Sequence, residues 1–164
     1  MTVIVFIGPS GAGKSRLGKR VARLLDVPFA DTDKLIVAEN GPISQIFRDH
    51  GEPYFRAIER ETVARALEGD GILSLGGGAV LDPATQDDLA AHRVVFLTIS
   101  PEAVSQRVAG DTERPLLRNG VQDWIALNEP RWEIYERLAD VTFDTSHRAN
   151  DEMANEVAAW LTTQ

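Results

Sequence analysis

The sequence predicts an α/β fold with a parallel sheet covered on both faces by helices. Three observations carry that prediction. Short apolar runs recur along the chain, longer stretches with helical spacing separate them, and no low-complexity linker divides the whole. A length of 164 residues suits one compact domain, 1–164.

Val3–Ile7 reads as a buried strand closed at Gly8. Leu17, Val21, Leu24 and Leu25 then repeat at helical spacing, which predicts a helix over Lys14–Leu25. Pro28–Ala30 is a second short strand ending in Asp31-Thr32-Asp33, and two helices follow at Ile43–Asp49 and Glu52–Glu68. Phe55, Ile58, Thr62, Val63, Ala66 and Leu67 share one face of the latter. Gly71–Leu75 is a strand running into Gly76-Gly77-Gly78, followed by a helix at Pro83–Ala91, a strand at Val94–Ile99 and a helix at Pro101–Ala109. The polar segment Gly110–Gly120, with a glycine at each end, reads as a loop able to move. Helical pattern resumes to Leu138, with Pro130 in the first turn of its second half, where a missing N–H costs nothing. Val141–Phe143 is the last strand. Asn150 is then placed to cap a final helix that turns Met153, Val157, Trp160 and Leu161 inward.

Composition narrows the function classes. A formal charge of −8 disfavours broad binding to nucleic acid or to an anionic membrane. The absence of cysteine excludes disulfides, a thiol nucleophile and thiolate-bound metals, and three histidines make a poor metal cluster. The longest strictly apolar runs are five residues, against about 20 for a spanning helix. No basic stretch precedes a long apolar one at the N-terminus, so the cytoplasm is the expected compartment. Of 17 cationic residues only Lys14, Lys19 and Lys34 are lysine. Arginine suits bidentate grips on carboxylate or phosphate, although arginine-rich codon usage accounts for the excess equally well.

One motif speaks directly to ligand chemistry. Gly8-Pro-Ser-Gly-Ala-Gly-Lys-Ser15 fits G-x-x-x-x-G-K-[ST], with a strand before it and an amphipathic helix after it. A chance match in such a chain is on the order of 1 in 200. Gly8, Gly11 and Gly13 let successive backbone N–H groups, including that of Ala12, converge on the phosphates of a nucleotide at a helix N-terminus. Lys14 then belongs against the β and γ phosphates, and the Ser15 hydroxyl on Mg²⁺. The usual companion acid at the end of an apolar strand is missing from Ile72–Gly78 and from Val94–Ser100. Asp31 is the better candidate for the second metal ligand, and sheet order has to decide it.

The remaining motifs point one way. The chain resembles shikimate kinase over nearly its whole length, through Gly8–Ser15, Asp31-Thr32-Asp33, Phe55-Arg56, Ser74–Val80, Arg114–Leu117, and Arg131 with Tyr135. The resemblance implies a three-layer, nucleoside-monophosphate-kinase-like P-loop fold with five parallel strands ordered 2-3-1-4-5. It also implies a monomer that uses ATP and Mg²⁺ to phosphorylate shikimate at its 3-hydroxyl, in aromatic amino-acid biosynthesis.

Site residues carry over one by one. Asp33 matches the residue that meets the substrate hydroxyls and takes a proton, and Arg56 and Arg131 match the two that grip the substrate carboxylate. Glu59, three residues after Arg56, is spaced to hold its guanidinium. Gly76, Gly77 and Gly78 match a triple glycine beside the substrate, within a substrate-binding region that includes helices at about 33–60. Arg114 matches the lid arginine, on a loop at about 110–120, that reaches both ATP and acceptor. Arg107 and Arg148 match residues bordering the adenine. Two departures stand out: Arg16 occupies a position usually held by Thr in the nucleotide site, and Arg148-Ala149-Asn150 lacks a frequent Asn-Pro. The competing readings are another small-metabolite kinase such as a gluconate kinase, or a nucleotide-binding regulatory module without catalysis.

Overall fold

In a computed structural model, the structure describes residues 3–108 and 120–163. Five strands form one parallel sheet: β1 (Ile4–Ile7), β2 (Phe29–Asp31), β3 (Ile72–Ser74), β4 (Arg93–Thr98) and β5 (Val141–Asp144). Their order is β2-β3-β1-β4-β5, as the resemblance implies. β1 is central and its Val5, Phe6 and Ile7 are buried, which is why it reads as an unbroken apolar run.

Helices cover both faces. α1 (Lys14–Leu25), α6 (Pro101–Val108) and α8 (Asn150–Thr162) enclose one core around Phe6, Leu17, Val21, Val95, Leu97, Met153 and Val157. On the other face, α4 (Glu52–Ala66), α5 (Pro83–Leu89) and α7 (Val121–Leu138) pack around Val5, Leu73, Leu75, Phe96 and Tyr135. A third, small cluster of Ile36, Ile46 and Phe55 joins α2 (Thr32–Asn40), α3 (Ile43–His50) and α4. It braces the helices that follow Asp31 at the carboxyl edge of the sheet.

Several expectations need correction. Periodicity takes Asp31–Asp33 as a strand end and gives no helix between Asp33 and Ile43, so α2 falls only within the helices at about 33–60 that the resemblance implies. It lacks an apolar stripe, burying only Thr32 and Ile36, so periodicity does not reveal it. Its signals are local: Asp31 Oδ1 caps the Asp33 and Lys34 amides at 2.9 and 3.3 Å, and Gly41 ends it. Pro130 begins no second helix, because α7 runs unbroken through it. Asn150 is the first residue of α8 rather than its cap; Ala149 holds that position without a side-chain bond. Trp160 is only half-buried, with Arg93 stacked 4.5 Å from its ring centroid. Its indole closes the edge of the core rather than filling it.

Candidate active site

The phosphate-binding loop joins β1 to α1. Gly13 sits at φ 87°, a left-handed conformation that glycine adopts freely, and it starts α1 without a side-chain cap. The first N–H groups of α1 therefore point into the loop, where an anion can take the place of a cap. Lys14 is nearly buried and curls over its own loop, donating to the carbonyls of Gly8 at 2.7 Å and Pro9 at 3.0 Å. A cleft of about 460 Å³ opens in front, lined by the loop, Asp31, Asp33, Ser74, Gly76 and Gly77.

The sheet order settles how Asp31 reaches the loop. β3 lies between β1 and β2, and its register sets Ser74 beside Asp31 on one side and Phe6 on the other. Across this strand Ser15 Oγ donates to Asp31 Oδ2, with Ser74 Oγ 3.4 Å from Ser15 Oγ. The two carboxylate oxygens divide the work, since Oδ1 caps α2 and Oδ2 faces Ser15. A hydroxyl, a carboxylate oxygen and a second hydroxyl form a hard, oxygen-only donor set beside the phosphate loop. That chemistry fits Mg²⁺, which needs few protein ligands and retains waters.

The other end of the cleft is made of side chains. Arg56 and Glu59 lie on α4 and pair at 2.7 Å, and Arg56 also meets Glu52 at 3.3 Å. Glu59 is 3% exposed, so a charged residue occupies the inward face where periodicity looks for apolar ones. Burial pushes its carboxyl up to about 6 despite the opposing pull of Arg56. Asp33, on the first turn of α2, is also raised, by burial first and by the Asp31 charge second, with Lys14 and Arg56 opposing. Arg131 is 6% exposed on α7.

The triple glycine explains how these groups come so close. A Cβ on Gly76 would lie 2.6 Å from Asp33 Oδ1 and 3.2 Å from Glu59 Oε2. One on Gly78 would lie 2.5 Å from both terminal nitrogens of Arg56, and one on Gly77 would lie 3.5 Å from Arg131 Nη1. Each glycine therefore gives its space to a charged side chain. The Gly76 amide is held by Thr32 Oγ1 at 3.2 Å, and the Gly77 carbonyl by Tyr135 Oη at 2.6 Å.

A second, smaller cleft of about 240 Å³ is lined by Gly11, Ala12, Gly13, Arg16, Arg107, Thr145, Arg148 and Asn150 among others. Arg107 donates to the carbonyls of Gly11 at 3.0 Å and Thr145 at 2.5 Å. Partial burial and the nearby Arg16 guanidinium lower its pKa from the ordinary arginine value. Arg148 is held by Glu152 at 2.8 Å and by Glu156. Thr145 Oγ1 also reaches the Ala12 carbonyl, at 2.9 Å, fixing the floor of this cleft to the phosphate loop.

These observations are matched by kinship. The family model for shikimate kinase matches residues 10–162. The chain belongs to the shikimate kinase family. A shikimate kinase of Streptomyces avermitilis is 43% identical over 162 residues, covering 96% of this chain and 95% of the relative. One from Mycobacterium avium is 46% identical over 148 residues, 88% of this chain and 84% of the relative. The solved shikimate kinase of Acinetobacter baumannii, in complex with shikimate, superposes with a TM-score of 0.94 at 30% identity, covering 99% of this chain and 94% of that one.

Of the residues that the shikimate kinase resemblance singled out, Asp33, Arg56, Glu59, Arg131 and Gly76–Gly78 converge on the acceptor end. Lys14, Ser15 and Asp31 gather at the phosphate-binding loop, and Arg16, Arg107 and Arg148 line the smaller cleft. Arg114 and, except for Gly120, the loop expected at about 110–120 lie outside the described residues. Sequence reasoning missed Ser10, Thr32, Ser74, Trp124 and Thr145, and assigned Tyr135 no role. Trp124 donates to the Ser10 carbonyl of the phosphate loop at 2.8 Å. Their partners lie far away in sequence, so no local signal marks Trp124, Thr145 or Tyr135. Ser74 and Thr32 do adjoin motifs, and that adjacency is a usable clue.

Proposed function

We propose that this protein transfers the γ-phosphoryl group of ATP to the 3-hydroxyl of shikimate, giving shikimate 3-phosphate and ADP. The observation that carries this reading is the acceptor end: two arginines and two carboxylates, packed against three glycines, beside a phosphate-binding loop. Shikimate is a carboxylate with three hydroxyls, so its pocket needs cations at one end and hydrogen-bond acceptors at the other. Arg56 and Arg131 hold the carboxylate, and Glu59 keeps Arg56 in place. Asp33 accepts from the hydroxyls and takes the proton of the 3-hydroxyl as its oxygen attacks the γ-phosphorus. A buried carboxylate with a raised pKa suits that proton transfer better than a solvated one.

Lys14 lies against the β and γ phosphates and balances charge as the bond to the leaving oxygen lengthens. Ser15 and Asp31 would hold Mg²⁺, which when bound would neutralise phosphate charge. Arg114, on the lid, adds a cation to the transferring group, a device worth about 10³–10⁵ in rate elsewhere. Arg16, Arg107 and Arg148 line the nucleotide side, with the backbone of Gly11, Ala12 and Gly13 at the phosphates. Most of the rate then comes from positioning and charge stabilisation. Among the described residues no helix is long and apolar enough to cross a membrane. The family resemblance leads us to propose a cytoplasmic, monomeric single-domain protein.

The test is ADP release with ATP and Mg²⁺ across shikimate, gluconate, nucleoside monophosphates and no acceptor. Release that depends on shikimate is the expected result. Release dependent on gluconate or a nucleotide instead would overturn the assignment. No release with any acceptor would leave a nucleotide-binding module.

A further inference from the structure

The acceptor loop contains three successive glycines, so it has no side chains of its own to set its position. Its middle carbonyl is fastened from outside. Tyr135 is fully buried on α7, and its Oη donates to the Gly77 carbonyl at 2.6 Å across 58 positions of chain. The ring is fixed independently of that bond. It packs 5.1 Å from the Phe96 centroid and 6.4 Å from that of Trp132, in the core beneath the sheet. The hydroxyl alone leaves this apolar cluster and points at the site.

Gly77 is also where three parts of the active site meet. A Cβ there would lie 3.5 Å from both Arg131 Nη1 and the Gly8 carbonyl, and 3.6 Å from the Ser10 amide. Arg131 precedes Tyr135 by four residues, one turn of α7, and its guanidinium faces the phenol oxygen. One hydroxyl thus meets both the glycine loop and the arginine beside it. We propose that Tyr135 is a positioning residue, holding the Gly77 carbonyl and the Arg131 guanidinium where the acceptor's carboxylate needs them. The proposal rests on the shikimate reading above. It gives the Tyr135 hydroxyl a role in the acceptor half of the reaction and none in the nucleotide half.

Phenylalanine fills the same space without the hydroxyl, so Tyr135→Phe keeps the ring packing and releases the loop. Trp132→Phe is the control, since it thins the same aromatic cluster and touches neither Gly77 nor Arg131 through a hydroxyl. Steady-state kinetics with shikimate and ATP are measured beside thermal unfolding for wild type and both variants. Tyr135→Phe is expected to raise KM for shikimate about fivefold to twentyfold, with KM for ATP within about twofold of wild type. Trp132→Phe is expected to lower Tm and leave both KM values in place. In an Arg131→Lys background the Tyr135→Phe effect should shrink, because both changes weaken one grip. An unchanged KM for shikimate, parallel rises in both KM values, full additivity with Arg131→Lys, or loss of the cooperative thermal transition each overturns the proposal. A wild-type protein that does not turn over shikimate overturns the functional reading instead, so the two failures are distinguishable.

Discussion

The two halves of the cleft are built from different material. At the phosphate end the working groups are mainly backbone amides, supplied by one continuous segment from Gly8 to Ser15. At the acceptor end they are charged side chains from α2, α4 and α7, held apart only by three glycines. A backbone cradle tolerates many sequences outside its motif because its donors come with the chain. A side-chain pocket depends on distant elements arriving at the right separation, and it pays for charges taken out of water. Changes at the phosphate end should therefore act mainly on turnover, and changes at the acceptor end mainly on recognition of one substrate.

The largest effect should come from Lys14→Met, which removes the one side-chain cation of the phosphate loop. We expect kcat to fall by about 10³ or more with the thermal transition retained, read by ADP release and calorimetry. Asp33→Ala stands where the two halves meet. It should lower kcat by about 10²–10⁴, and near wild-type turnover would remove its proton-accepting role. Next come Arg56→Ala and Arg131→Ala, each expected to raise KM for shikimate about 10-fold to 100-fold while nucleotide affinity holds, a split that titration calorimetry can read. Gly78→Ala should mimic the Arg56 loss without deleting a charge, since its Cβ would stand 2.5 Å from the guanidinium nitrogens.

A smaller effect should appear with pH. The Glu59 carboxyl is raised to about 6 from its ordinary value of 4.5, with burial as the main cause. Between these values the folded protein binds more protons than the unfolded chain, so this group's contribution to stability falls as pH rises through the window. The change amounts to about 2 kcal/mol. Binding runs the other way. Below pH about 6 Glu59 is increasingly neutral and releases Arg56, so KM for shikimate should climb several-fold as the solution is acidified. Asp33, also raised, adds to the same acid limb. Glu59→Gln should flatten the pH dependence of KM, whereas KM for ATP should show no such limb. The smallest effect is expected from Arg107→Ala, about a twofold to fivefold rise in KM for ATP, because its partly buried guanidinium meets backbone carbonyls rather than a buried charge.

The same contrast governs what could be read without coordinates. β1, α1 and the phosphate loop were legible because their signals are local: an apolar run, a glycine pattern and a 3.6-residue repeat. The helices after Asp31 were legible only in part, since α2 buries little and its capping carboxylate looked like a strand end. Glu59 was recognised as a partner for Arg56 by spacing, but nothing local to α4 showed that it is 3% exposed. The neighbours of its carboxylate include Gly76 and Asp33, which arrive from other elements.

By itself, then, the chain determined an α/β protein with a nucleotide-phosphate loop, because hydrophobic period and glycine spacing act within a few residues of themselves. Only the tertiary structure decided that Asp31 and Ser74 stand beside Ser15 and that the glycines make room for Asp33, Glu59, Arg56 and Arg131. It alone showed that Tyr135 ties that loop to α7. These relations depend on strand order and helix packing, which bring together groups separated by tens of residues. The separation that hides them in the sequence also makes the pocket specific, since a small acid is recognised only when every contributing element is in place.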